Sequence, residues 1–135
     1  MKYPFQSDAL GKLVLRLTLG ILILFHGISK TMHPTEAITY VSGQLATAGL
    51  PTFLAYGVFV GEMLAPIMII LGIYSRIGGL IVVINMIFAV VLVHGAQFFS
   101  LAKTGGWALE LQAFYLFIGL ALFFLGSGKI AVKPD

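Results

Sequence analysis

The chain has no cysteine among its 135 residues, so it holds no disulfide, no thiol relay and no thiolate metal site of its own. Any redox chemistry here must use a bound cofactor or another subunit. Charge is nearly as scarce: only 10% of residues are charged, against 59% hydrophobic, which excludes an ordinary soluble domain. The formal charge of +3 is too small, and too scattered among apolar segments, for a nucleic-acid partner. With so few polar stretches the chain is not a disordered tail, and its length suits one bundle rather than two domains. The lipid bilayer is the partner that this composition demands.

A membrane-crossing helix takes about 20 mostly apolar residues, and four segments meet that need, at residues 10–28, 53–73, 77–93 and 108–125. The expected fold class is therefore all-α, an integral membrane four-helix bundle forming one domain over residues 1–135. The first segment follows a basic amino end, but "FHGISK" after it has no small-x-small cleavage pattern, so it reads as a retained helix. Lys2, Lys12, Arg16, Arg76, Lys129 and Lys133 fall on one side of such a bundle, and only Lys30 and Lys103 on the other. That asymmetry predicts both termini in the cytoplasm. Trp107, Phe98 and Phe99 then form an outer aromatic belt, and Tyr3, Phe5 and Tyr74 an inner one.

The link Tyr74, Ser75, Arg76 is so short that the second and third spans must be antiparallel neighbours. Residues 33–51 are longer. Pro34, Thr35 and Glu36 read as a helix start, with Ile38, Val41 and Leu45 on one face and Gly49 with Pro51 closing it. The expectation is a short amphipathic helix on the outer surface, either a packed lid or a substrate gate.

Ionisable groups at bilayer depth cost a few kcal/mol each and need a partner or a purpose. They are Arg16, His26, Lys30, Glu62, His94 and Glu110, joined by the neutral Asn85 and Gln112. At about 100° per residue Arg16, His26 and Lys30 share one stripe of the first helix, which should face the bundle interior. Glu62 sits near the middle of the second span. Arg16 lies toward the cytoplasm, with a long side chain able to climb to Glu62. His26, Lys30, His94 and Glu110 gather at the outer end. Pro66, four residues after Glu62, has no amide hydrogen for the Glu62 carbonyl, so a kink and a free carbonyl fall at the carboxylate itself. Gly57, Gly61 and Ala65 recur every four residues and invite a neighbouring helix on that side.

Each group has a structural and a functional reading. Arg16 and Glu62 form either a buried ion pair that fixes helix register or a functional pair exchanging a proton. His26 and His94 either meet water and headgroups at the interface or act on a ligand. Two histidines on different helices are a weak case for haem and too few for a typical catalytic zinc, so no metal site is expected. Asn85 and Gln112 read more as interhelical hydrogen bonders than as ligands.

The order "RLTLGILILFHGISK", "GEMLAPIMIILGIYSR", "INMIFAVVLVHG", then Glu110 and a closing "LGSGK", resembles the DoxX family of small bacterial membrane proteins over nearly the whole chain. The likeness is densest in the first three segments, where Arg16, His26-Gly27, Lys30, Glu62, Gly72, Arg76 and His94 occur in order. The carboxyl end departs from the family's Gly-Pro-Gly and Ser-x-Asp, reading Gly126, Ser127, Gly128, then Ala131 and Lys133. The resemblance implies a multi-pass protein of the bacterial inner (plasma) membrane. Some relatives are membrane subunits of a thiosulfate:quinone oxidoreductase and others are linked to thiol or oxidative-stress systems. Three functions compete on this basis. The first is a quinone-linked or redox-associated subunit with Glu62 and Arg16 at its centre. The second is a small-solute transporter or binding protein with Lys30, His26 and His94 at its mouth, and the third is a non-catalytic scaffold for a partner. A homodimer or a partner oxidoreductase subunit would complete any of them.

Overall fold

The computed structural model describes residues 4–135, which form five helices and no strands beyond two isolated bridges. Lys2 and Tyr3, placed above at the amino end, lie outside the described residues. Helix α1 (Asp8–Met32) starts where the Ser7 side chain accepts from the Leu10 amide, with Asp8 in the first turn and Lys30 in the last. Both charges suit the helix dipole. Helix α2 (Pro34–Thr47) follows directly, with Pro34 in its first turn and Leu45 buried. Helix α3 (Thr52–Leu71) begins as a 3₁₀ turn, passes through one π-helical turn at Val60–Leu64 and ends at Gly72, whose φ of +75° stops it. Helix α4 (Ser75–Leu92) follows after a tight turn, and α5 (Glu110–Leu125) closes the bundle.

Helices α1, α3 and α4 are long and apolar enough to cross a membrane. Helix α5 is as apolar but has 16 residues, a rise of about 24 Å. The four expected segments thus all appear as helices. The first extends four residues beyond its apolar run because Lys30 turns inward and Thr31 bonds back to the Gly27 carbonyl. The core is Leu19, Ile23, Ala65, Ile69, Val82, Met86, Tyr115 and Leu122, drawn from four helices. Helices α4 and α5 meet at Gly79 and Gly119, where a Cβ on Gly79 would lie 2.5 Å from the Gly119 carbonyl oxygen.

The end of the bundle near Gly72 shows how the chain satisfies helix termini without water. The last carbonyls of α3 have no helical partner. The Met68 carbonyl accepts from the Gly72 and Ile73 amides, and those of Ile69 and Ile70 accept from Arg16 Nε and Nη2 at 2.9 and 3.1 Å. Those of Leu71 and Gly72 accept from the Val132 and Lys133 amides. Arg16, 1% exposed, also donates to the Ser127 and Ile130 carbonyls, so it ties the carboxyl tail to α3. Arg76 does the same for α5, donating to the Phe123 and Phe124 carbonyls and to the Asp135 backbone oxygen. The Asp135 carboxylate in turn accepts from the Arg76 and Ser127 amides. The divergent tail is therefore a structural clasp.

Replacing Arg16 by methionine should lower stability by about 3 kcal/mol or more, since four carbonyls, two in buried and two in partly buried contacts, lose a charged donor at once. Arg16→Lys should recover less than half of this, because one ammonium cannot reproduce the guanidinium fork. Thermal unfolding in detergent checks both. A wild-type midpoint in Arg16→Met would refute the clasp.

Candidate functional site

The site is built around a local break in α3. Pro66 has no amide hydrogen, so the Glu62 carbonyl loses its normal helical partner. The helix responds by widening: the Ala65 amide donates to the Val60 carbonyl, five residues back, producing the π turn that carries Glu62. The freed Glu62 carbonyl lies against Gly27 of α1, where any Cβ would overlap it. Glycine at 27 is what lets the two backbones approach, and Gly20 does the same beside the Pro66 carbonyl one turn along.

These contacts fix the register of two antiparallel helices and decide which cation Glu62 meets. Glu62 is 8% exposed and its Oε1 lies 2.7 Å from Lys30 Nζ. The expected Arg16–Glu62 pair does not form. Gly27 sits opposite Glu62, Arg16 precedes Gly27 by eleven positions, and about 16 Å of helix rise is too far for its side chain. Lys30 is one turn beyond Gly27 on the same face. Gly57, Gly61 and Ala65 also behave unequally: Gly61 packs on the Asn85 side chain and the Ala65 carbonyl approaches Gly78, but nothing faces Gly57.

Around the pair lies a cavity of about 610 Å³ with mostly apolar walls. Lys30, Glu62, His26, Asn85, Gln112 and His94 all line it, so the structure brings together six of the groups singled out in the sequence. Glu110 is not among them; it is exposed at the start of α5, beside Gly106. Arg16 belongs to the clasp. The His94 ring Nδ1 lies 2.8 Å from Gln97 Oε1. His26 meets Tyr115 edge to face, with ring centroids 6.2 Å apart. Tyr115, 8% exposed, also lines the cavity and was missed, since one phenol within an apolar run carries no distinguishing pattern. The Gln112 Oε1 atom is buried without a hydrogen-bond partner among the described residues. A buried orphan acceptor on a cavity wall is a place for a ligand's donor. Among the described residues no group of three or more histidine or acidic side chains could hold a metal.

The arrangement offers both halves of a polar recognition. Lys30 has three donor hydrogens and gives one to Glu62, leaving others for a ligand acceptor. Glu62 has a second carboxylate oxygen besides the one paired with Lys30, and Gln112 can accept a hydrogen bond. Breaking the ion pair from either side should destabilise the protein, with Lys30→Met or Glu62→Leu each costing about 3 kcal/mol by leaving an unpaired charge in apolar surroundings. The double variant should recover most of that loss. A double-mutant cycle by thermal unfolding checks this, and strictly additive losses would mean that the contact carries no coupling.

Comparison with known proteins fits this picture. A Bacillus subtilis (strain 168) protein named "Putative oxidoreductase CatD" is 28% identical over 130 residues, covering 96% of this chain and 89% of that protein. An uncharacterized protein of Haemophilus influenzae (strain ATCC 51907 / DSM 11121 / KW20 / Rd) is 29% identical over 122 residues, covering 87% of this chain and 84% of its own length. No solved structure matches. Residues 11–95, which carry Arg16, Lys30, Glu62, Arg76 and His94, match the DoxX family profile, and the chain belongs to the DoxX family of membrane proteins.

Proposed function

We propose that the chain is a quinone-linked membrane subunit whose Lys30–Glu62 pair binds the ring of a quinone. The observation that carries this reading is one cavity combining an ion pair, an orphan acceptor and largely apolar walls. Its volume suits a drug-sized ring compound, and few polar groups among apolar walls is the usual make-up of such a site. The oxidoreductase name of the B. subtilis relative supports the same class. A quinone supplies a two-electron, two-proton couple in which ring carbonyls become hydroxyls; the electrons would come from a partner oxidoreductase subunit.

The residues present fit both oxidation states. Lys30 Nζ would donate to a ring carbonyl, and Gln112 Oε1 would accept from a ring hydroxyl. Reduction of a bound quinone would take two electrons from the partner subunit and two protons from the aqueous side, and Glu62, a carboxylate in its pair with Lys30, would relay each proton to the ring in turn. Lys30 takes the role that the sequence suggested for Arg16. Tyr115 meets the His26 ring edge to face on the cavity wall, and His26, level with Glu62, and His94, at the end of α4, are the proton carriers. In this reading all four apolar helices span a bacterial inner membrane as one domain. Both termini are cytoplasmic, and α2 lies on the outer face.

The test is mass spectrometry of the organic extract of gently purified protein beside a Glu62→Gln variant. The expected result is a quinone retained by the native protein and depleted in the variant. Equal amounts in both, or bulk lipid alone, would remove the quinone reading.

A further inference from the structure

Helices α3 and α4 form a V. They are joined at one end by the turn through Ile73 and Tyr74, and α3 packs on α4 through residues 60–71. The first part of α3, residues 52–59, packs instead on α1 and α2. The two helices therefore separate toward their far ends, and the cavity lies in the gap. Its walls there are Leu54, Val60, Ile84 and Phe88, apolar and between 37% and 48% exposed. The opposite wall, with Ile23, Leu45, Met86 and Tyr115, is buried. At the far end α2 lies across the cavity through Tyr40, Val41 and Leu45, the last 1% exposed. Helix α2 covers part of that end, and the side between α3 and α4 is open.

We propose that the cavity is filled sideways from the bilayer by an amphiphile, with its polar head at Lys30 and Glu62 and its tail left in the cleft between α3 and α4. This rests on the ligand reading of the Lys30–Glu62 site and adds a route and a tail. A polar solute entering through that side would cross the exposed apolar wall, losing hydration without compensation. A lipid-dissolved amphiphile pays nothing of the kind, because a tail resting on Val60, Ile84 and Phe88 meets surroundings as apolar as the lipid it leaves. Its head exchanges lipid for an ammonium donor and the Gln112 acceptor. Because the cleft and the ion pair share one cavity, a single molecule can place its head at the pair and its tail in the cleft.

Gly57 supplies a test that spares the fold. It lines the mouth of the cleft, is exposed, and a Cβ added there meets no atom within 4 Å. Gly57→Phe should therefore fold normally and narrow the route. Val60→Trp, at a second lining position of α3, is the companion variant. The probes are a benzoquinone with a ten-carbon alkyl tail and the same ring with a methyl group. Both are bound to protein in phospholipid nanodiscs and quantified against empty nanodiscs. Wild type should bind both probes and Glu62→Gln neither. Gly57→Phe and Val60→Trp should weaken the tailed probe by at least about tenfold and leave the methyl ring within about twofold. Ring binding that depends on Glu62, with the tailed probe unaffected by both variants or both probes weakened alike, would overturn lateral entry while leaving the ring site standing. A wild type that takes neither probe would overturn the quinone reading itself, and this inference with it.

Discussion

The clasped end of this bundle depends on giving the last carbonyls of α3 and α5 a donor. A helix that ends where water is scarce leaves about four carbonyls unsatisfied. Here α3 and α5 end close together, and the chain uses one arginine for each, Arg16 from α1 and Arg76 from α4. Each arginine reaches across to another helix, so capping and tertiary packing are the same interaction. The tail from Gly126 onward is held by what remains of that donor and acceptor set, with Asp135 closing the circuit through Arg76 and Ser127.

The same accounting explains the site. Pro66 deprives one carbonyl of its donor in the middle of α3, where no arginine arrives. The helix widens by a π turn, and the carbonyl is set against a glycine of α1 rather than a side chain. Such a turn swings Glu62 out of regular helical phase toward the interior, where a bare carboxylate would be costly. Lys30 offsets that cost at 2.7 Å. The break in the ladder, the close approach at Gly27 and the ion pair thus form one local solution, surrounded by enough unfilled space for a ligand.

The two ends of the bundle consequently have different characters. One is cross-linked by guanidinium groups and the tail, and its helices stay together. At the other, α3 packs on α1 and α2 rather than on α4, and α2 covers part of the cavity with Val93 and His94 beside it. Rigidity at the clasp and a gap at the opposite end make a V that can hold a guest without loosening the core at Leu19, Ile69, Val82 and Leu122.

The sequence by itself determined a good deal. Four apolar segments, the helix start at Pro34, the tight turn at Tyr74 and the weak point at Pro66 all follow from local rules of periodicity, length and backbone chemistry, and the motifs of the first three segments carry the family. Of the expected inward stripe of α1, Arg16 is buried, Lys30 is half-buried and His26 is exposed. It could not decide which cation Glu62 would meet. Arg16 and Lys30 share a stripe, and periodicity cannot choose between them; the choice depends on the sliding register of α1 against α3, set by Gly20 and Gly27 meeting Pro66 and Glu62. Tyr115 and the role of the tail were hidden for the same reason. Their partners lie on other helices, and only packing brings a phenol to a cavity wall or a carboxyl-terminal strand of residues to the end of α3. Local physics fixed what each segment is, and tertiary contact fixed what each charged group is for.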